Sequence, residues 1–305
     1  MAEIIQSIII YIIEMVLPGY KTLHDFNKEH AQLFYESGIK IWNALTGRAL
    51  VVLLQAPGDA SPEAYHIVNQ IGGVLQGVSG SLLAALFLYR MMKEASVTRH
   101  QFDVKDAVKI LLGLAIMEGI ATNLGRIINQ VIRIGSSLVS LVVSHGNSGL
   151  SMDPAVADVF SGAEPGFPTM IFTIVFFIMM TVLGAGVLIT VVQRLIRLLI
   201  ALPFAAVAVV TAMGGGRVSE VGYSYIRSFV GYCLEGAVIA MIIIIGNLLT
   251  SSGFISNAFS GIIVGSGDIA FWQVMVGGIG QLLGCSAVSG TIKMSEHLVH
   301  KMFGL

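Results

Sequence analysis

Two short glycine motifs bring nucleophilic or acidic residues into spacings that chemistry uses. Gly77-Val78-Ser79-Gly80 has the GxSG spacing of intramembrane serine hydrolysis. A serine nucleophile needs a histidine within reach to take its proton. The histidines at 24, 30, 66, 100, 145, 297 and 300 all fall in loops or at the edges of apolar runs. Gly265-Ser266-Gly267-Asp268 has the GxGD spacing of intramembrane aspartyl hydrolysis, which needs a second aspartate to share a proton. The other aspartates, at 25, 59, 103, 106, 153 and 158, lie outside the apolar runs. Glu296, His297 and His300 set three metal-ligand types near one helical turn. No HExxH and no further histidine completes a zinc site, so a water-facing helix is the default there. Neither a phosphate-binding GxxxxGK[ST] nor a nucleotide-binding GxGxxG is present, so any energy source belongs to a partner. The expectation is no catalytic residue, no cofactor, no metal, and a protein that is not an enzyme.

The remaining candidates are charges inside apolar sequence. Glu118, Arg126, Arg133 and Glu235 interrupt apolar runs, where each charge costs roughly 2.5–3.5 kcal/mol unless it faces protein or water. Glu118, Thr122, Arg126, Gln130 and Arg133 follow steps of four, four, four and three, which is one helical face. That face is either a water-lined or partner-lined surface, or it is paired internally. Glu235 lies beside Gly231 and Gly236. It serves either as a proton-relay carboxylate or as the partner of Arg194, Arg197 or an arginine of the second helix.

The elements that must position these residues follow from composition. The chain has 305 residues, only 17 Lys+Arg and 18 Asp+Glu, 55% hydrophobic residues and a mean hydropathy of +0.84. A soluble protein of this length needs far more polar surface, and a disordered one needs lower hydrophobicity. The net charge of −1 provides no global field to attract nucleic acid. Cys233 and Cys285 sit in apolar runs and read as small buried hydrophobes. The class that remains is an all-α polytopic membrane protein.

Runs of about 20 apolar residues place spans near 66–92, 107–144, 169–192, 228–250 and 271–292. The second run is too long for one perpendicular crossing, so it crosses once and extends beyond the bilayer. A shorter apolar segment, 198–213, has Pro203 in its middle and Gly214, Gly215 and Gly216 at its end. Lys and Arg occur in 93–109, 193–227 and 293–305, and are absent from 144–168 and 251–270. That alternation puts the basic segments in the cytoplasm, provided 198–213 is a re-entrant or in-plane element that does not cross. The N-terminus is then outside and the C-terminus inside. Residues 1–65 become an extracytoplasmic helical region with an amphipathic segment at 4–17, separate from the membrane domain 66–305. Small residues allow helices to approach closely in lipid. Gly73, Gly77, Ser81 and Ala85 form such a stripe on the first span, and Gly280 and Gly284 form one on the last.

The stretch Val191-Val192-Gln193-Arg194-Leu195-Ile196-Arg197-Leu198-Leu199-Ile200-Ala201-Leu202-Pro203-Phe204-Ala205-Ala206 resembles the signature region of the TrbL/VirB-type polytopic inner-membrane subunit of conjugative type IV secretion systems. Basic residues close a long apolar helix, and a short apolar segment broken by proline follows. The layout with N outside, five crossings and C inside is also similar to that family, over most of 66–305. The compact size and short tails look most like versions from Gram-positive conjugative elements. Residues 1–65 carry no motif of the family. The resemblance implies a non-enzymatic subunit of a DNA-transfer channel in the bacterial cytoplasmic membrane. It implies a homo-oligomer that contacts lipid and, transiently, single-stranded DNA. It also implies work with a cytoplasmic ATPase, a bitopic assembly factor and an extracytoplasmic minor subunit. From the residues alone, the alternative is a small-solute transporter or ion channel that uses the intramembrane carboxylates Glu118 and Glu235.

Overall fold

The computed structural model describes residues 23–97, 104–146, 149–162, 166–212, 217–259 and 269–302, and among these there is no strand. The segment 4–17, Gly214–Gly216 and the GxGD motif lie outside the described residues. The helices are α1 (Leu23–Leu54), α2 (Pro57–Ala60), α3 (Pro62–Val97), α4 (Val104–Thr122), α5 (Leu124–His145) and α6 (Pro154–Gly162). They continue with α7 (Phe167–Ala201), a 3-10 turn (Leu202–Phe204), α8 (Ala205–Thr211), α9 (Arg217–Ser251), α10 (Phe254–Phe259), α11 (Ile269–Lys293) and α12 (Ser295–Met302). Five helical stretches are long and apolar enough to cross a membrane: Pro62–Lys93, Leu124–His145, Phe167–Thr211, Val218–Ser251 and Ala270–Lys293.

One expectation about continuity changes. The run 107–144 is not one helix, because α4 and α5 meet at Asn123. The Asn123 side-chain amide donates to the Gly119 carbonyl at 2.9 Å, competing with the backbone for that acceptor. Its own carbonyl accepts from the Arg126 and Ile127 N–H groups and starts α5. Glu118 and Thr122 therefore stand on α4, while Arg126, Gln130 and Arg133 stand on α5. The segment 198–213 is helical up to Thr211. Pro203 is accommodated in the 3-10 turn, and helix runs on both sides of it. There the Ala205 N–H bonds the Leu202 carbonyl, three residues back. The Ala201 carbonyl at the start of this turn accepts the Tyr225 hydroxyl. The segment continues the third apolar stretch, Phe167–Thr211.

The chain divides into two compact units. In the first unit (Met1–Leu50, His145–Thr190, Met241–Lys293), Tyr35 and Trp42 of α1 are fully buried. The Tyr35 ring stacks on Phe176 at 4.3 Å, and its hydroxyl donates to Gln281 Oε1 at 2.8 Å. Burial pushes this phenol well above its ordinary pKa, which keeps it a donor. Trp42 Nε1 donates to Asn247 Oδ1 at 3.0 Å. Asn43 clasps Leu150 through both backbone groups, at 2.9 and 2.7 Å. Asp153 caps α6 through Ala155 N–H at 2.9 Å and accepts Ser256 Oγ at 2.7 Å. Gly253, at φ +69°, turns the chain from α9 into α10.

The second unit (Val51–Ser144, Val191–Ala240, Met294–Leu305) holds α3, α4 and α5, the 3-10 turn with α8, and α12. It also takes in the ends of α7 and α9. The 3-10 turn and α8 pack on α3, and α8 also packs on α4. Leu124, Ala205, Ala206 and Val209 make one core cluster, and Ile132, Leu198, Phe229 and Cys233 make another.

Candidate functional site

The densest polar chemistry in the second unit gathers where α7, α9 and α12 meet. Glu235 of α9 is 1% exposed. Its Oε1 accepts Ser295 Oγ at 3.0 Å and Arg197 Nη2 at 3.5 Å, while its Oε2 has no hydrogen-bond partner. Arg197 Nη1 donates to Glu296 Oε2, and its guanidinium lies 6.0 Å from the centre of the Tyr232 ring. One arginine thus serves two carboxylates, one buried and one half-exposed. Arg194 is buried, and among the described residues it has no ion pair. Its Nε donates to the Tyr232 carbonyl at 3.1 Å and its Nη2 to the Cys233 carbonyl at 3.2 Å. A Cβ at Gly236 would sit 2.6 Å from Arg194 Nη2, so a side chain there would have to displace the guanidinium from α9.

Beside this cluster an open groove of about 730 Å³ runs between the ends of α7 and α9. Ile200, Phe204, Tyr225, Phe229 and Tyr232 wall it, with Arg197 and Glu220 among its lining residues. A smaller cavity of about 290 Å³ lies among Tyr65, Asn69, Gln76 and Asn129 near the 3-10 turn. There Tyr65 donates to Asn129 Oδ1 at 3.3 Å.

The second-helix candidates have different surroundings. Leu124, Ile132, Gly135 and Val139 form the buried face of α5. A Cβ at Gly135 would meet the Cys233 carbonyl at 2.6 Å, so this face sits tight on α9. Arg126, Gln130 and Arg133 are exposed on the other side, and Glu118 is exposed on α4. Among the described residues, none of these three charged side chains has an ion pair.

The two small-residue stripes also separate. Gly73, Gly77, Ser81 and Ala85 are exposed, and a Cβ at Gly73 or Gly77 would touch nothing within 4 Å. The inward face of α3 passes instead through Gly72, Leu75 and Ser79, about 100° around the helix. Ser79 of the GxSG motif is buried and donates its hydroxyl to the Gln76 carbonyl at 2.7 Å. On α11 the stripe is packed: a Cβ at Gly280 would lie 2.9 Å from Ser256, and one at Gly284 2.2 Å from Thr250 Oγ1.

Ser295, Glu296 and Tyr232 were not expected in this site, and Gly236 had no assigned role. Glu296, read from the sequence as water-facing, is tied to Arg197. It is separated from Arg197 by 99 residues, so no local pattern announces the pair. The available clue was charge balance: Arg194 and Arg197 face one apolar-run carboxylate, which leaves a cation in need of a second acid. Among the described residues, no group of three or more His, Cys, Asp or Glu is placed to hold a metal ion.

This arrangement of long apolar helices defines an all-α, multi-pass membrane protein. No protein-family model matches the chain, and no curated protein or solved structure matches it significantly.

Proposed function

We propose that the chain is a channel or scaffold subunit of a type IV secretion machine for conjugative DNA transfer. It lies in the bacterial cytoplasmic membrane with its N-terminus outside and its C-terminus in the cytoplasm, and it is not an enzyme. One observation carries this reading. The polar face of α5 presents Arg126, Gln130 and Arg133 outward with no ion pair among the described residues, in a helix long and apolar enough to span. Charges at depth normally face protein or water, so a neighbouring subunit or a hydrated path completes this face. Two arginines on a path suit a polyanion such as single-stranded DNA. In this reading the chain self-associates, touches lipid, and works with a cytoplasmic ATPase, a bitopic assembly factor and an extracytoplasmic minor subunit. The resemblance around Arg194 to Ala206 supports the same assignment.

The test is a photo-crosslinking residue at position 130 in donor cells during transfer. Strand DNA trapped at 130, together with loss of transfer in an Arg126→Ala/Arg133→Ala chain, is the expected result. Normal transfer by that chain with no crosslink would overturn the reading.

The second reading, a small-solute transporter or ion channel, is favoured by one observation: the Glu235 oxygen left without a partner. Glu235→Gln separates the two. Loss of ion-coupled uptake in vesicles with intact DNA transfer would support the transporter.

A further inference from the structure

The groove between the ends of α7 and α9 has the size of a small-molecule site and a body to match, with an aromatic and aliphatic wall of Ile200, Phe204, Tyr225, Phe229 and Tyr232. Among its lining residues Arg197 is the one cation. The chain itself shows what this cation accepts, because Glu296 reaches it from α12 with a carboxylate. The Glu296 side chain is 42% exposed, so it regains water when it lets go. Glu235 stays where it is, buried and held by Ser295.

We propose that this groove binds a long-chain carboxylate of the fatty-acid type, whose headgroup replaces Glu296 on Arg197. Exchanging one carboxylate for another leaves the local charge unchanged, so no new charge is buried. Ile200, Phe204 and Val221 line the groove and are 60%, 50% and 66% exposed. In a membrane-spanning chain such a rim meets acyl chains, so the bilayer is the source of the ligand. Glu220, the one acid in the lining, repels a second negative group and favours a monoanion with an apolar tail. Binding also has a mechanical consequence. α12 is tied to α7 and α9 by Ser295 on Glu235 and Glu296 on Arg197, and the ligand removes the second tie. This inference is independent of what the protein transports.

The test uses the full chain in nanodiscs and radiolabelled laurate as the probe, with dodecanol and phosphatidylglycerol as competitors. Wild type is expected to bind laurate saturably, and dodecanol is expected not to compete. Arg197→Gln should weaken binding by about tenfold or more, the loss of a charge-assisted bond. Glu296→Gln should strengthen it by about threefold or more, because the internal competitor is gone. A purely structural role for Glu296 would not give that increase. The buried thiols Cys233 and Cys285 report folding by staying unreactive to maleimide. If Arg197→Gln exposes them, the Glu296→Gln measurement decides alone. Unimproved binding in Glu296→Gln, equal competition by dodecanol, or displacement by phosphatidylglycerol in preference to laurate would each overturn the proposal.

Discussion

Arg194 and Arg197 on α7 and Arg126 and Arg133 on α5 are the same residue type in helices of similar character, yet they end in opposite surroundings. The α7 pair is satisfied within the chain, by the carbonyls of Tyr232 and Cys233 and by the carboxylates of Glu235 and Glu296. The α5 pair stands exposed with no ion pair among the described residues. The glycine stripes repeat the contrast. In the most apolar stretch of α11, 44% of the residues are buried, and Gly277, Gly278, Gly280 and Gly284 lie against neighbouring helices. The corresponding figure for α3 is 11%, and Gly73 and Gly77 touch nothing. A polar or small residue in an apolar helix therefore announces a contact without saying who makes it. On α7 and α11 the chain makes it, whereas for Gly73 and Gly77 of α3 and for Arg126 and Arg133 of α5 no such contact is made among the described residues.

The largest expected effect tests the satisfied pair. Arg197→Leu leaves Glu235 buried without its cation and should cost about 3–5 kcal/mol of stability, read by denaturant unfolding in detergent. Arg133→Leu should change the stability of the isolated chain by less than about 0.5 kcal/mol. Equal losses at the two sites would erase the contrast. Next, Gly284→Ala drives a methyl into Thr250 and should cost about 1–3 kcal/mol, whereas Gly77→Ala should be near neutral in the same assay. Gly77→Leu with Ser81→Leu should disrupt assembly without unfolding the chain or blocking insertion. Unchanged assembly on native gels would mean that the stripe faces lipid.

Tyr35→Phe removes the donor to buried Gln281 Oε1 and should cost about 1–3 kcal/mol. The orientation is checked by cysteine labelling. Asp158 and Lys301 are both exposed, and position 158 should label from outside and 301 only from inside. External labelling at 301 would sink the five-crossing layout. The smallest effect is at Glu36, whose carboxyl lies below its ordinary pKa through hydrogen bonds from Gln32 and then Lys40. A lowered folded pKa means its stabilisation is full above the unfolded value of about 4.3 and fades as pH falls through the folded value. Glu36→Gln should flatten that acid limb slightly, by a few tenths of a kcal/mol at this exposed pair.

The spans were legible because hydropathy over about 20 residues is a property of the local sequence. The break at Asn123 was not, although Asn between Thr122 and Leu124, flanked by Gly119 and Gly125, was visible. A side-chain amide bonding back to a carbonyl is one option among several until packing selects it. The proline at 203 pointed to a disruption, and the structure resolves it as a 3-10 turn, at whose start the Ala201 carbonyl accepts the hydroxyl of Tyr225, 24 residues on. For the site, Arg197 and Glu235 were visible as charges out of place, while Ser295 and Glu296 looked like ordinary polar residues of a short terminal helix.

By itself, the sequence determined that this chain is helical and crosses a membrane, and which residues cost free energy by being there. Both follow from transfer free energies, which each residue carries wherever the chain goes. Only the tertiary structure decided how each cost is met: Arg197 by two acids, Arg194 by backbone carbonyls, and Arg126 and Arg133 by nothing within the described chain. Pairing depends on distances of a few ångströms between residues tens of positions apart, and those distances exist only once the helices have packed.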